Sequence, residues 1–261
     1  MSQANLVKIV RETLKEHYIK NPCSILANSF WKTNSQLVNY ELTCKSDNDK
    51  IISLEIKEGN KLLLYWHLDQ KMPDFKTHIL DFILIHQKYL ESINLEMFNS
   101  KKSYFRIVHN QQNIEKTSLL EGFRFEQVNL AQETDKIVDL LSLCYPGWNF
   151  TEERILKWKN HPVYDKKGWI WIIDEKNNKP AGLGIAEFDK TIPEASFEWI
   201  QVHPEYQGKG LGKNLVLELL DRYKESALFT TVSGECNNPS NPEGLYRRCG
   251  FEGDDVWWVS T

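Results

Sequence analysis

The sequence lacks a long apolar run, a strong net charge and metal-ligand cysteine spacing. No apolar stretch reaches about 18 residues and the first residues do not resemble a signal peptide, so we expect neither a membrane segment nor export. The net charge of −4 gives no reason to expect a nucleic-acid partner. The five cysteines are scattered, which predicts reduced thiols in a cytoplasmic protein without a metal site.

The chain is long enough for one large domain or two modest ones, and it contains no Pro/Ser-rich linker. From residue 123 onward, hydrophobic periodicity predicts the order β-α-α-β-β-β-α-β-α-β, an α/β fold with a mixed sheet. Residues 169–173 are typical of a strand buried on both faces. We therefore expect an N-terminal α+β domain over residues 1–124 and a second domain over residues 125–261.

A glycine-rich segment, residues 207–212, joins a predicted strand to a predicted helix. Its glycines, Gly208, Gly210 and Gly212, let the backbone approach a ligand without a Cβ in the way. The helix that follows begins with unpaired N–H groups and the positive end of its dipole. The pattern predicts a phosphate cradle formed by main-chain amides. A β-to-α turn that serves backbone geometry alone is the alternative interpretation.

The spacing of this segment decides which phosphate ligand it suits. Gly212-Lys213 is followed by Asn214 rather than Ser or Thr, which excludes a Walker loop, and Lys213 occupies the third glycine position of the dinucleotide fingerprint. The segment instead resembles the Gln/Arg-x-x-Gly-x-Gly coenzyme A loop of the GNAT N-acetyltransferase superfamily. Residues 245–251 resemble that family's Leu-Tyr-x-x-x-Gly-Phe segment, so the resemblance covers about residues 125–261.

The resemblance implies an acyl-CoA N-acyltransferase (GNAT) fold and an acetyl-CoA-dependent N-acetyltransferase. Acetyl-CoA and a primary amine of a small molecule or peptide are the implied substrates, and they would react by direct attack in a ternary complex. Main-chain groups of Ile200 and Val202 would pair with the pantetheine arm. The remaining residues expected to contact the coenzyme are Gln207, Gly208, Lys209, Gly210, Leu211, Gly212, Lys213, Asn238, Asn241 and Tyr246.

Two residues are the implied catalytic groups. Glu198 stands where several family members carry a base carboxylate, and Tyr246 stands where the family's tyrosine protonates the departing thiolate. A solvent-facing strand glutamate and a core tyrosine are the alternative interpretations. Three carboxylates in the same region could substitute as the base or form an acidic rim that attracts a cationic substrate: Glu187, Asp189 and Glu194. His203 could also act as the base, although the resemblance implies that this position serves the turn.

The sequence departs from the family at one place. Pro239 and Pro242 stand where the family often carries an asparagine and a small residue, so Asn238 or Asn241 would have to take over the coenzyme contact. The acceptor is undefined by sequence, although Trp148 could line its pocket and embrace a cation, and Glu194 could attract a cationic substrate.

The first 120 residues are less informative. We expect an opening amphipathic helix, strands over 36–44, 51–56, 61–68 and 104–108, and a long helix over 74–93. The recurring order suggests a degenerate GNAT-like half, without a phosphate loop because residues 66–75 contain no glycine. An unrelated lid or a homodimer surface is the alternative. For the whole chain, a coenzyme-A-binding sensor without turnover and a nucleotide-binding protein stay open.

Overall fold

The computed structural model describes residues 2–48, 50–72, 80–94, 96 and 98–261. Seven α-helices are found in this part of the chain: α1 (Gln3–Lys20), α2 (Pro22–Ile25), α3 (Phe30–Gln36), α4 (Thr134–Cys144), α5 (Glu152–Trp158), α6 (Leu211–Tyr223) and α7 (Pro242–Arg247). Its strands are β1 (Glu41–Asp47), β2 (Lys50–Glu58), β3 (Lys61–His67), β4 (Phe82–His86), β5 (Lys101–His109), β6 (Phe123–Gln127), β7 (Trp169–Asp174), β8 (Lys179–Asp189), β9 (Glu194–Val202), β10 (Phe229–Glu235) and β11 (Glu252–Ser260).

Contacts divide the chain into two compact units. The first unit contains Met1–Val108, Ser233–Glu243 and Gly253–Thr261, and the second contains His109–Val232 and Gly244–Glu252. This division differs from a boundary at residue 124, because β11 pairs antiparallel with β4 and so joins the first unit. Among the described residues, no helix is both long and apolar enough to span a bilayer.

The first unit is built on α1 and a mixed sheet in the order β1-β2-β3-β4-β11-β5. The helix buries one stripe, Val7, Val10, Leu14 and Tyr18, at the spacing of an amphipathic helix. Strands β1, β2 and β3 form an antiparallel meander, and β4 then pairs parallel to β3.

The predicted helix over 74–93 is wrong for the part that the structure describes. Residues 82–86 form β4, and a 3-10 helix follows over Gln87–Ser92. The strand alternates buried Ile83 and Ile85 with less buried neighbours, and its β-branched residues favour an extended backbone. Residues 73–79 lie outside the described residues.

The second unit has the strand order β10-β9-β8-β7-β6, with helices on both faces of the sheet. One face is covered by α4 and α5, whose Ile137, Leu141 and Ile155 pack in a core with Trp169 and Trp171 of β7. The indole of Trp171 donates to the Glu133 carboxylate (3.1 Å) just before α4. The predicted N-cap Thr151 is confirmed, since its hydroxyl accepts from Arg154 N–H (3.2 Å).

Glycines in β8 bring α6 close to the other face. A Cβ at Gly182 would lie 3.2 Å from a Leu215 methyl, and one at Gly184 would lie 3.0 Å from a Leu219 methyl. Because neighbouring strand residues point to opposite faces, Leu183 and Ile185 meet the α4–α5 core instead. The predicted element order of the C-terminal part is confirmed, and so is the fold class.

Substituting Gly168 by alanine is expected to destabilise the second unit. A Cβ there would clash with the Ala186 carbonyl and with the Tyr223 hydroxyl, both buried in the unit. Overpacking of this kind costs about 1–3 kcal/mol, which corresponds to a fall of roughly 2–12 °C in the thermal midpoint. Calorimetry of Gly168→Ala checks this, with Gly147→Ala as the matched control because open space surrounds that Cβ position. Equal midpoints for the two variants would contradict the packing described here.

Candidate functional site

The glycine loop adopts a backbone that requires its glycines. Gly208 has φ +78° and Gly210 has φ +75°, both in the left-handed region that L residues rarely adopt. No atom lies within 4 Å of a Cβ placed at either position, so backbone conformation, not packing, demands glycine there. Gly212 differs, since a Cβ there would come within 3.3 Å of a Leu245 methyl. The loop backbone of residues 208–210 therefore borders open space.

Helix α6 begins directly after this loop. Asn214 N–H donates to Gly210 O (3.2 Å), closing the first turn of the helix. The N–H groups of Leu211, Gly212 and Lys213 belong to that first turn, where no preceding helical carbonyl is available to them. A 13-residue helix also places the positive end of its dipole here. The arrangement can bind an anion through main-chain donors.

The loop is anchored on its strand side. The Tyr206 hydroxyl donates to Asp174 Oδ2 (2.8 Å), and this hydrogen bond lowers the pKa of the Asp174 carboxyl. The Lys209 ammonium lies 5.0 Å from the Tyr206 ring centroid and 5.8 Å from that of Phe123. The side-chain amide of Gln207 donates to Val202 O (3.3 Å). These contacts hold the loop against β6, β7 and β9.

Strand β9 has an open edge next to this loop. It pairs in parallel with β10 only as far as Phe197 and Val232, whereas β9 itself continues to Val202. His203 N–H donates to Ala181 O (3.0 Å). Along an antiparallel pair, residues that hydrogen-bond to the partner strand alternate with residues that do not, so this bond identifies which residues of β9 face β8. In that alternation the main-chain groups of Ile200 and Val202 point away from β8. At Ile200 and Val202, β9 is therefore no longer paired with β10.

Glu198 is the extra residue of a β-bulge at this parting. On β9, Phe197 and Trp199 pair with the consecutive residues Ala186 and Ile185 of β8, so Glu198 has no counterpart in the register. Bulges re-aim a side chain and terminate pairing. The Glu198 side chain is half-buried.

The other candidate bases have structural partners. The buried Glu187 carboxylate lies 2.9 Å from His161 Nδ1, and Asp189 accepts from Thr191 N–H and Oγ1 at 2.7 Å. Glu194 is 1% exposed and accepts from Thr231 Oγ1 (2.6 Å), at the end of β9 farthest from the loop. The His203 ring accepts from Glu205 N–H (3.3 Å) and so serves the turn. The structure therefore separates Glu194 from the loop and keeps Glu198 near it.

Tyr246 lies on α7 and is 7% exposed. Its ring meets Phe251 edge-on at 5.6 Å, and the preceding Leu245 reaches Gly212 of α6. Burial first, and then the neighbouring Tyr145 and Cys249, raises the pKa of Tyr246 above its usual range, so the phenol stays neutral at physiological pH. Burial likewise raises the pKa of Cys249 to about 11 and makes that thiol a poor nucleophile.

Sequence reasoning missed Tyr145. Its hydroxyl accepts from the Gln201 side-chain amide (2.7 Å), and its ring meets Trp199 edge-on at 5.4 Å. Burial raises the pKa of this tyrosine too, and the hydrogen bond from Gln201 only partly opposes that rise. The residue directly follows α4, where helical periodicity ends, so no sequence pattern singled it out.

Trp148 is 55% exposed, but a positively charged side chain of the protein already lies over its ring. The Arg154 guanidinium lies 5.7 Å from the Trp148 centroid and 5.4 Å from that of Phe150. A substrate cation that bound to the Trp148 ring, as the sequence analysis expected, would have to compete with the Arg154 guanidinium.

An acidic residue from the segment after β5 reaches the start of α6. Both carboxylate oxygens of Glu115 lie within 2.9 Å of Lys213 Nζ, and Ser118 N–H donates to the Asn214 side chain (2.9 Å). Sequence analysis gave no signal for this segment, because it has no regular periodicity.

Asn238 and Asn241 belong to the first unit. Asn238 Oδ1 accepts from Ser240 N–H (3.0 Å) and Oγ (2.7 Å), forming a local turn, and Asn241 has φ +47°. Their predicted coenzyme contact stays a prediction.

Comparison with known proteins supports the resemblance. Residues 134–251 match the acetyltransferase (GNAT) family. A curated relative, the uncharacterized N-acetyltransferase YvbK of Bacillus subtilis (strain 168), is 28% identical over 127 residues, or 48% of this chain and 74% of the relative.

Solved structures show the same fold. A GNAT-family acetyltransferase from Colwellia psychrerythraea aligns with a TM-score of 0.64 at 12% identity, over 100% of this chain and 97% of the other. A tandem GNAT protein from the clavulanic acid biosynthesis pathway gives 0.64 at 10% identity, over 100% and 96%. At such identities the likeness concerns the fold alone. The family match over residues 134–251 and the likeness of fold together support the resemblance to the GNAT acetyltransferase superfamily.

Proposed function

We propose that the protein is a cytoplasmic N-acetyltransferase that moves an acetyl group from acetyl-CoA to a primary amine of a small molecule or peptide. The observation that carries this proposal is the loop that contains Gly208 and Gly210. Its backbone borders open space and continues directly into the first turn of α6. A diphosphate requires several donors converging on one side, and this backbone supplies them without side-chain bulk. The same site without turnover would make the protein a coenzyme A sensor.

The exposed edge of β9 would hold the arm of the coenzyme. Ile200 directs its main-chain N–H and C=O away from β8, and Val202 directs its N–H the same way, so an extended amide-bearing chain could pair there as a further strand does. The Val202 C=O already accepts from the Gln207 side-chain amide (3.3 Å). One of these N–H groups would also polarise the thioester carbonyl. Acetyl-CoA supplies the activated acyl group, and the protein's part is to fix that group beside the amine.

Glu198 would accept the proton of the amine. An alkyl ammonium has a pKa near ~10, so a neutral nucleophile must be generated at physiological pH. The bulge at Glu198 falls one residue after the last β9–β10 pair, and bulges re-aim side chains at such positions. The carboxylate would act directly or through a water molecule.

Tyr246 would return a proton to the thiolate. The amine nitrogen bonds to the thioester carbon, the carbon–sulfur bond breaks, and the sulfur takes the phenolic proton. The raised pKa of Tyr246 keeps that proton on the oxygen before acetyl-CoA binds. Donation to a thiolate, whose usual pKa is about 8.5, therefore requires that the bound coenzyme make the phenolic proton more labile. The nitrogen loses two protons, one to Glu198 before the attack and one to solvent as the amide forms. One of them offsets the proton that Tyr246 donates to sulfur, the other is released to solvent, and solvent resets both side chains.

Two measurements together test the function. Isothermal titration with acetyl-CoA reports binding, and thiol release during incubation with a pooled amine library reports transfer. We expect saturable binding and amine-dependent release of thiol. Binding without release from any amine would favour the sensor, and the absence of binding would reject both functions.

Gly210→Ala is expected to weaken acetyl-CoA binding at least tenfold. Alanine is strained at φ +75°, so relief of that strain would rotate the peptides that head α6. Gly59→Ala is the matched control, because Gly59 has φ +56°, equally open surroundings and a position in the β2–β3 turn. Titration calorimetry should separate the two variants. Equal affinity in both would contradict the assignment of the loop.

Tyr246→Phe is expected to lower kcat at least tenfold while the Kd for acetyl-CoA changes less than twofold. The substitution removes only the acidic hydroxyl and keeps the ring that packs on Phe251. The control is Tyr164→Phe, which removes a half-buried hydroxyl from the same unit. Pre-steady-state thiol release measures the chemical step, and an unchanged rate would remove Tyr246 from the mechanism.

A further inference from the structure

A cluster of five aromatic side chains covers one face of the second unit beside β9. We call it the aromatic patch. Trp148 stacks on Phe150 (6.2 Å between centroids, 14°), and Trp158 stacks on Trp199 (5.7 Å, 16°). Trp199 meets both Trp148 and Phe150 edge-on. The members of the patch are Tyr145, Trp148, Phe150, Trp158 and Trp199.

The patch combines rigidity with exposure. Trp148 leaves 55% of its surface accessible, which is a large apolar area for a residue with so many aromatic neighbours. Edge-to-face and stacked contacts fix the ring planes and leave few rotamers to be ordered when a ligand binds. A flat apolar group is the ligand that such a surface favours.

Arg154 adds one charge to this surface. Its guanidinium lies over Trp148 and Phe150, and its Nη1 donates to Asn149 O (3.1 Å). In the described part of the chain no carboxylate lies within 4.0 Å of it. The acidic residues nearby on α5 are engaged elsewhere, since Glu153 pairs with Lys157 (2.8 Å) and Glu152 accepts from Thr134 Oγ1 (2.6 Å).

The aromatic patch continues to the groups assigned to catalysis. Trp199 follows Glu198 directly on β9, and the Tyr145 hydroxyl is one of the neighbours that raise the pKa of Tyr246. A molecule resting on the patch would extend from Tyr145 and Trp199 at one end to Arg154 at the other.

We propose that the acceptor is a small primary amine that carries an aromatic ring and a carboxylate, as an aromatic amino acid does. The ring would pack on Trp148 and Trp199, and the carboxylate would pair with Arg154. Planar guanidinium and carboxylate groups match in a two-point hydrogen-bonded pair, and stacking on the rings keeps the guanidinium plane fixed. The inference rests on the proposed function and specifies its substrate class.

The same charge argues against a polycationic acceptor. The Arg154 guanidinium already lies over the Trp148 and Phe150 rings and would repel a second cation that approached the same ring faces. The acetylated product of the proposed acceptor would be an N-acyl amino acid, in which the amine charge is lost and the carboxylate that binds Arg154 is kept.

A panel of matched amines tests the proposal on the intact protein. Phenylalanine, phenethylamine, alanine and spermidine differ in the ring, the carboxylate or the number of charges. We expect kcat/KM to be highest for phenylalanine, by at least tenfold over each of the other three. Higher kcat/KM for spermidine or alanine would overturn the proposal.

Arg154→Gln is expected to raise KM for phenylalanine at least tenfold, with kcat and the KM for phenethylamine within twofold of wild type. Lys157→Gln is the matched control, since it removes an exposed positive charge from the same helix. Equal effects of Arg154→Gln on the two amines, or equal effects of the two variants on phenylalanine, would overturn the role of Arg154. A thermal melt of each variant checks folding.

A binding measurement separates failure of this inference from failure of the proposed function. N-acetylphenylalanine is titrated while tryptophan fluorescence is recorded, in wild type and in Arg154→Gln. Quenching in wild type that the variant loses supports the carboxylate site even if no amine releases thiol. Absence of quenching in wild type, together with acetyl-CoA binding and turnover of another amine, would reject this inference and leave the proposed function standing.

Discussion

The parting of β9 from β10 is the constraint on which the site depends. The strands pair only to Phe197 and Val232, and the bulge at Glu198 falls one residue later. A continuous ladder would consume the main-chain groups of Ile200 and Val202 and leave no edge for a ligand. The bulge lies in the pairing of β9 with β8, so the proposed binding edge and the candidate base Glu198 occupy neighbouring positions on β9.

The two units repeat one topology with different consequences. In each, a three-stranded antiparallel meander is followed by a strand parallel to its last member, β4 on β3 and β10 on β9. In the second unit the connection contains two glycines before α6, Gly208 and Gly210, whereas in the first unit no glycine occurs between residues 60 and 121. That connection therefore lacks the residue type that lets a backbone approach a ligand without a Cβ in the way. The proposed chemistry is therefore placed in the second unit, as the sequence resemblance implied.

The sequence predicted the features of the fold that depend on neighbouring residues along the chain. The bounds of β9 and α6 follow from periodicity and glycine placement, since each is set by neighbouring residues. The predicted helix over 74–93 failed where Ile83 and Ile85 pair in a sheet, because the partner strand β11 lies far along the chain. Sequence patterns did not identify Tyr145 and Arg154 for a related reason. Tyr145 is held by Gln201 and Arg154 lies over Trp148, and such side-chain contacts leave no periodic pattern in the sequence.

Charge around the loop explains why backbone rather than side chains would recognise a diphosphate. Lys213 is paired with Glu115, and Lys209 rests on the rings of Tyr206 and Phe123. An arriving anion competes for Lys213 with a carboxylate already within 2.9 Å, so this ammonium contributes less than a free one would. The first-turn N–H groups of α6 face no such competitor within the helix and cannot be neutralised. Affinity in the proposed complex would therefore depend on the shape of the loop, which is why the positive φ of Gly208 and Gly210 matters more than the charge of either lysine.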